Sequence, residues 1–177
     1  MYYFWEKGIK KTDCENLINN YDSLATINST VGSKNGQQKI DPEIREQKVC
    51  WIDSDDLVVR ALWSYILEAN NIYFHYDISE FESTQFTKSC KNGFYSWHKD
   101  SGDDTRKLSA VLQLSDSSEY EGGELQFFNG DKNPEELPIK EQGGLIVFDS
   151  SDWHRVTPVL DGTRYSLVMW AQGAKFR

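Results

Sequence analysis

From Ile72 onward the sequence abandons helical spacing for short apolar or alternating runs cut by turn-forming residues, and a chain built this way hides its apolar side chains by packing strands into facing sheets. Eight runs follow one another: Ile72–Ile78, Ser83–Ser89, Phe94–Asp100, Leu108–Leu114, Glu124–Phe128, Leu145–Phe148, His154–Leu160 and Arg164–Trp170. Ahead of them lie two helical patterns. Thr12-Asp-Cys-Glu15 fits a capping box for a helix over about Thr12–Asp22, with Leu17, Ile18, Tyr21 and Leu24 at helical spacing. Ser54-Asp-Asp56 opens a second, in which Leu57, Val58, Ala61, Leu62, Tyr65, Ile66 and Ala69 share a face until Asn70-Asn71. The expected fold is mainly β with supporting helices, a double-stranded β-helix (jelly roll) of two antiparallel sheets. With no strand–helix alternation and no Gly-rich phosphate loop, a nucleotide-binding α/β fold is excluded.

A chain of 177 residues is long enough for one core and short for two, so the expectation is one domain over residues 1–177, with helical support over about 1–71 and the jelly-roll core over about 72–177. Lys and Arg number 19 against 28 Asp and Glu, and the formal charge of −9 repels phosphate backbones, which excludes nucleic acid as a partner. No apolar run approaches the roughly 20 residues that cross a bilayer, and Met1–Trp5 lacks the features of a signal peptide; the expectation is a cytoplasmic protein without a membrane partner. Cys14, Cys50 and Cys90 lack metal-knuckle spacing and read as buried free thiols. Val31–Gln38 is polar and rich in turn formers, the pattern of a flexible loop or lid.

The candidate chemistry rests on few residues. Histidine occurs at 75, 98 and 154. In His98-Lys-Asp100 the outer residues point to one face of a strand, with Cα atoms roughly 6.5 Å apart, so imidazole and carboxylate can reach one ion. His154, where another turn meets a strand, completes two histidines and a carboxylate, the set that holds iron(II) with open positions; zinc is conceivable but lacks a nearby general base. His75 reads as a strand histidine without a metal role. Arg164 opens the strand ten residues after His154, and a buried guanidinium needs a carboxylate, from the protein or from a ligand. A three-residue bulged turn pairing Leu160 with Arg164, with Gly162 or a neighbour left-handed, puts His154, Arg164, Ser166, Val168 and Trp170 on the inner face, where a two-residue turn would not.

These pieces, with Tyr95-Ser-Trp-His98-Lys-Asp100, Arg106–Leu114, Gly122-Gly-Glu-Leu125, Gly144–Phe148, His154–Val159 and Arg164–Trp170 in order, resemble the 2-oxoglutarate and iron(II)-dependent oxygenases, in particular the prolyl 4-hydroxylase-like branch, over about Gln85–Trp170. Weaker echoes lie in the helices and in Val49-Cys-Trp-Ile52. The resemblance implies iron(II) on His98, Asp100 and His154, and the distal carboxylate of 2-oxoglutarate on Arg164. It also implies dioxygen as co-substrate and ascorbate as an accessory reductant. Tyr95 is expected to line the same pocket, with Ser166 a second candidate beside the co-substrate, and Arg106 and Trp170 to face the substrate. Tyr95 and Trp170 fit equally well as core aromatics, and Arg106 as an ion pair with the Asp103-Asp104 turn. Several relatives place a tyrosine or threonine hydroxyl beside the co-substrate carboxylate where this chain has Gln113 and Leu125. Arg164 in place of a lysine argues against a collagen-modifying role, and the presence of Asp100 argues against halogenation.

The activity implied is hydroxylation of an unactivated C–H bond coupled to conversion of 2-oxoglutarate into succinate and carbon dioxide, with a proline-containing peptide or protein as the substrate. Two alternatives stand beside it: a hydroxylase of a free amino acid, another side chain or a small metabolite, and a non-enzymatic jelly-roll binding module with a structural metal.

Overall fold

The computed structural model describes residues 2–32, 38–102, 105–130, 134, 137 and 139–174. Strands occur, in chain order, at Tyr2–Trp5 (β1), Ile27–Asn28 (β2), Val31–Gly32 (β3), Gln38–Lys39 (β4), Arg45–Glu46 (β5), Lys48–Ile52 (β6), Ile78–Phe81 (β7) and Thr84–Ser89 (β8). They continue at Phe94–His98 (β9), Arg106–Gln113 (β10), Tyr120–Gly122 (β11), Leu125–Phe127 (β12), Leu145–Asp149 (β13), His154–Val156 (β14), Val159–Gly162 (β15) and Arg164–Gly173 (β16). Two α-helices, Lys11–Tyr21 (α1) and Leu57–Ala69 (α2), precede β7. An eight-stranded antiparallel sheet runs β1-β13-β10-β16-β8-β6-β2, with β7 also on β16, and faces a four-stranded sheet β12-β14-β9-β5. This is the expected jelly roll.

Strand period decides what each face carries. On β10, Leu108, Ala110 and Leu112 are fully buried under the helices, while Ser109, Val111 and Gln113 turn toward the second sheet; on β16, Leu167, Met169 and Ala171 do the former and Arg164, Ser166, Val168 and Trp170 the latter. α2 covers the outer face with Val59, Leu62, Ile66 and Ala69, none of them exposed, at spacings of three and four. Full burial of a Leu or Ile of this kind contributes about 1.5–3 kcal/mol. The Asp56 carboxylate caps α2 by accepting from the Val58 amide at 2.8 Å. A second apolar cluster, including Phe127, Ile146 and Phe148, fills the space between the sheets beside the site.

Several expectations are corrected. α1 begins at Lys11 and has no side-chain cap, because the capping position is Lys10 and Thr12, two residues further on, already lies inside the first turn. The expected strand Ile72–Ile78 does not form, and only Ile78 is in a strand, as the start of β7: α2 runs on into a π-turn over Asn70–Phe74 that ends at His75 in the left-handed region (φ 60°). The Asn70 side chain fixes this exit, accepting from the Tyr76 amide at 2.8 Å and donating to the Tyr76 carbonyl at 2.9 Å. The run His154–Leu160 breaks into β14 and β15 around Pro158, which has no N–H for a ladder. Leu160 does not pair with Arg164. β15 pairs with β11, Tyr120 opposite Gly162, while β16 lies between β8 and β10; Gly162 is left-handed (φ 75°) because a Cβ there would sit 2.2 Å from the Glu119 carbonyl oxygen. The N-terminal 71 residues supply strands as well as helices, β1 and β6 among them. Cys14 and Cys50 are buried free thiols, but Cys90 is exposed. Of the Val31–Gln38 loop, both ends form the β3–β4 ladder and residues 33–37 lie outside the described residues. Among the described residues no helix is long and apolar enough to cross a membrane.

Candidate active site

Between the two sheets lies a cavity of about 240 Å³ whose walls include His98, Asp100, His154, Arg164, Ser166, Tyr95, Arg106 and Trp170. Chain pairing explains how they meet. β14 sets His154 directly opposite His98 on β9, and the next register pair is Val156 with Tyr95, so β9 carries one extra residue. That bulge turns both Tyr95 and His98, three residues apart, into the cavity, where a regular strand would send them to opposite faces. Their rings stack with centroids 3.4 Å apart.

Asp100 follows at the strand end, its amide held by the Ser150 carbonyl at 2.9 Å and its Oδ2 accepting from the Ser109 hydroxyl at 2.7 Å. Ser109 and Ser150 share a further hydrogen bond of 2.9 Å. The imidazoles are oriented from behind: His98 Nδ1 lies 2.8 Å from the Ser96 carbonyl and His154 Nδ1 2.9 Å from the Asp152 carbonyl. A carbonyl only accepts, so each Nδ1 carries a proton, which in the neutral imidazole leaves a lone pair on Nε2. Those lone pairs face Asp100, His98 Nε2 at 3.6 Å from Oδ1 and His154 Nε2 at 3.5 Å from Oδ2. Both separations exceed a hydrogen bond. One donor atom from each residue lies within 4.8 Å of the others, close enough for all three to reach one cation. Burial opposes ionisation of Asp100, but His154, His98 and Ser109 outweigh it and hold the carboxyl well below its ordinary range. Burial also pushes the His154 imidazole down, against the pull of Asp100, which favours the neutral, ligating form. The donor set therefore fits a divalent metal such as iron(II).

Arg164 is 3% exposed, and its Nη1 donates to the Ser166 hydroxyl at 3.4 Å. Burial pushes its pKa down, opposed by a hydrogen bond to Tyr120. Among the described residues no carboxylate lies within ion-pair distance of it. Tyr120 also accepts from the Gln113 amide at 3.0 Å. Sequence reasoning missed this tyrosine because it looked for a hydroxyl at positions 113 and 125, whereas β11 brings one in from another strand. The available signal was its place just before Gly122-Gly123, whose second glycine gives Arg164 room: a Cβ there would lie 2.9 Å from Arg164 Cδ.

Arg106 pairs with Glu82, Nε to Oε1 at 2.6 Å and Nη2 to Oε2 at 2.6 Å, and lies 4.2 Å over the Trp170 ring. The expected alternative, an ion pair with Asp103-Asp104, involves two residues outside those described. Trp170 Nε1 is buried without an acceptor among the described residues. His75 lies at the end of the π-turn, away from the cavity wall. Arg45 was not anticipated. It enters the cavity from β5, 9% exposed, with Nε donating to Gln47 Oε1 at 2.8 Å, Nη1 to the Thr30 carbonyl at 3.4 Å, and its guanidinium carbon 4.5 Å from the Tyr95 ring centre. Nothing in the spacing of residues 40–50 signals it.

Comparison with known proteins matches residues 84–172 to the 2OG-Fe(II) oxygenase superfamily. A PKHD-type hydroxylase of Prochlorococcus marinus is 32% identical over 148 residues, covering 81% of this chain and 64% of that protein. Another from Synechococcus is 35% identical over 98 residues, covering 54% and 44% respectively. The chain thus spans less than two thirds of the length of these relatives. Among solved structures, a prolyl-4-hydroxylase of Pseudomonas putida superposes with a TM-score of 0.74 at 24% identity, covering 97% of this chain and 92% of that one. A Trichoplax adhaerens prolyl hydroxylase, solved with a hypoxia inducible factor peptide fragment, gives 0.76 at 19% identity, covering 97% and 83%. These two likenesses concern the fold; the match over residues 84–172 spans half the chain and includes both histidines, the aspartate and the buried arginine, and by it the chain belongs to the 2OG-Fe(II) oxygenase superfamily.

Proposed function

We propose that this protein is a 2-oxoglutarate- and iron(II)-dependent dioxygenase that hydroxylates a C–H bond of a peptide, with proline as the target residue. The observation that carries the reading is one cavity in which two imidazole nitrogens and a carboxylate converge while a buried guanidinium has no protein carboxylate among the described residues. His98, Asp100 and His154 hold the metal, and Ser109 and Ser150 keep the Asp100 carboxylate turned toward the histidines. Arg164, with Tyr120 and Ser166, grips the distal carboxylate of the co-substrate through charge-assisted hydrogen bonds. Iron(II), when bound with 2-oxoglutarate and dioxygen, supplies the oxidising chemistry that places one oxygen atom in succinate and the other in the C–H bond, with loss of carbon dioxide.

The protein's own work is placement and exclusion of water. Phe148 and Phe127 pack on His154 with ring centres 4.8 and 6.1 Å away, Tyr95 stacks on His98, and Val111 and Val168 line the wall between. Trp170, steadied by Arg106, offers its indole N–H, which has no acceptor among the described residues, to a substrate carbonyl. The prolyl hydroxylases among the similar structures, one of them solved with a peptide, support a peptide substrate. The test is mass spectrometry of a proline-containing peptide library after incubation with the protein, iron(II), ascorbate and 2-oxoglutarate. A gain of one oxygen atom and equimolar succinate, both lost in His98→Ala and Arg164→Ala, is expected; no modified peptide and no succinate would overturn the reading.

A further inference from the structure

We infer that Arg45 is a specificity-determining residue which binds a carboxylate carried by the substrate next to the carbon that is hydroxylated. This rests on the oxygenase reading above and deepens it. The argument starts from a mismatch of charge. In the proposed loaded cavity a divalent ion and Arg164 balance Asp100 and the two carboxylates of 2-oxoglutarate, and Arg106 is matched by Glu82. Arg45 is left over. It is as buried as a core residue and, among the described residues, has no carboxylate within ion-pair distance.

A guanidinium does not shed its proton, so its charge stays in place wherever it is buried and calls for an anion. Its protein contacts are neutral and incomplete. Nε is committed to Gln47, itself anchored to the Ser89 hydroxyl at 2.9 Å, and Nη1 makes a long contact of 3.4 Å to the Thr30 carbonyl. Nη2 has no hydrogen-bond partner among the described residues, and the Arg45 side chain lines the cavity. The Gln47 anchor and the Tyr95 ring fix the fork in one orientation, a pre-organised arrangement for a planar anion.

Position supplies the second observation. Tyr95 holds His98 against one face at 3.4 Å, so Arg45, 4.5 Å from the same ring centre, occupies the other face. The free guanidinium edge is thus one aromatic ring removed from a proposed metal ligand. A carboxylate on the residue that carries the reacting carbon, or on a side chain beside it, would meet the guanidinium on this part of the cavity wall. The net charge of −9 gives no long-range attraction for such a substrate, so discrimination rests on this local contact.

The experiment uses the full protein loaded with manganese(II) and 2-oxoglutarate, titrated calorimetrically with two probe pairs. One pair is acetyl-Gly-Glu-Pro-Gly-amide and its Gln counterpart; the other is L-proline and L-prolinamide. The expected result is that the acidic member of one pair binds at least tenfold tighter than its neutral partner, and that Arg45→Met removes the difference by weakening the acidic member alone. The peptide pair showing it identifies an acidic side chain as the source, and the proline pair a main-chain carboxylate. Arg45→Lys, which keeps the charge without the fork, retains part of the preference, and the melting temperature of Arg45→Met stays at or above wild type. No acid preference in either pair, or a preference that persists in Arg45→Met, overturns the inference. So does a tenfold loss of 2-oxoglutarate affinity in Arg45→Met, which would place Arg45 on the co-substrate. Failure of the wild-type protein to bind 2-oxoglutarate would overturn the oxygenase reading as well, and is visible before any probe is added.

Discussion

Replacing Arg164 with Met should make the protein more stable and less able to bind its co-substrate. The guanidinium is 3% exposed, with the Tyr120 hydroxyl and a long 3.4 Å contact to Ser166 in place of an ion pair. Exchanging a buried ionic group for an apolar one of similar volume is neutral or stabilising by about 1–4 kcal/mol, and the lower half of that range applies here because Tyr120 partly satisfies the charge. At about 2–4 °C per kcal/mol for a protein of this size, the melting temperature without ligand should rise by about 2–10 °C. Binding moves the other way. Losing two charge-assisted hydrogen bonds of about 1.5–3 kcal/mol each weakens 2-oxoglutarate by roughly a hundredfold to ten-thousandfold. Differential scanning fluorimetry on manganese-loaded protein, with and without 2-oxoglutarate, reads both effects. At a hundred times its Kd the ligand adds about 2.7 kcal/mol to the wild type and little to the variant. A variant that melts several degrees lower and is still stabilised by 2-oxoglutarate would show that Arg164 is a structural residue.

Tyr120→Phe removes one donor to the same carboxylate, and calorimetry should give a roughly tenfold weaker 2-oxoglutarate Kd with manganese affinity unchanged. Ser109→Ala frees the Asp100 carboxylate to rotate and should weaken manganese binding by roughly 10–100-fold, measured by competition with a fluorescent chelator. Among the thiols, a disulfide reagent at neutral pH should label Cys90 at once and reach Cys14 and Cys50 only on unfolding. Burial pushes the Cys14 thiol up to about 11 from an ordinary 9.0, so the unfolded chain releases this proton first as pH rises. The stability it contributes is complete below about pH 9 and lost as pH climbs toward 11, a decline that Cys14→Ala should lessen in urea titrations between pH 8.5 and 10.5.

What the sequence disclosed follows from which interactions are local. Strand positions such as Leu108–Leu114 and Arg164–Trp170 were legible because period two and β-branched or aromatic composition act over a few residues. His98, Asp100, His154 and Arg164 stood out because histidine is scarce and a strand-borne arginine needs a partner. Pairing between distant strands was not legible. The segment after Pro158 looked like half of a hairpin with β16, yet it pairs with β11, some forty residues earlier in the chain. Tyr120 was lost with that error. Arg45 escaped for a related reason: its role depends on β5 lying beside β9, and a two-residue strand leaves no periodic trace. The π-turn after α2 depends on the Asn70 side chain closing around Tyr76, and its apolar residues imitate a strand.

The edge strand β1 carries a practical consequence. Tyr2 opposes Phe148 across the sheet and stacks on Phe127 with ring centres 5.7 Å apart, and both phenylalanines cushion His154. Tyr2 is therefore mechanically linked to an imidazole more than a hundred and fifty positions later in the sequence. Loss of the Tyr2 ring, or removal of residues 2–5, would loosen the backing of that imidazole without touching any residue of the cavity wall.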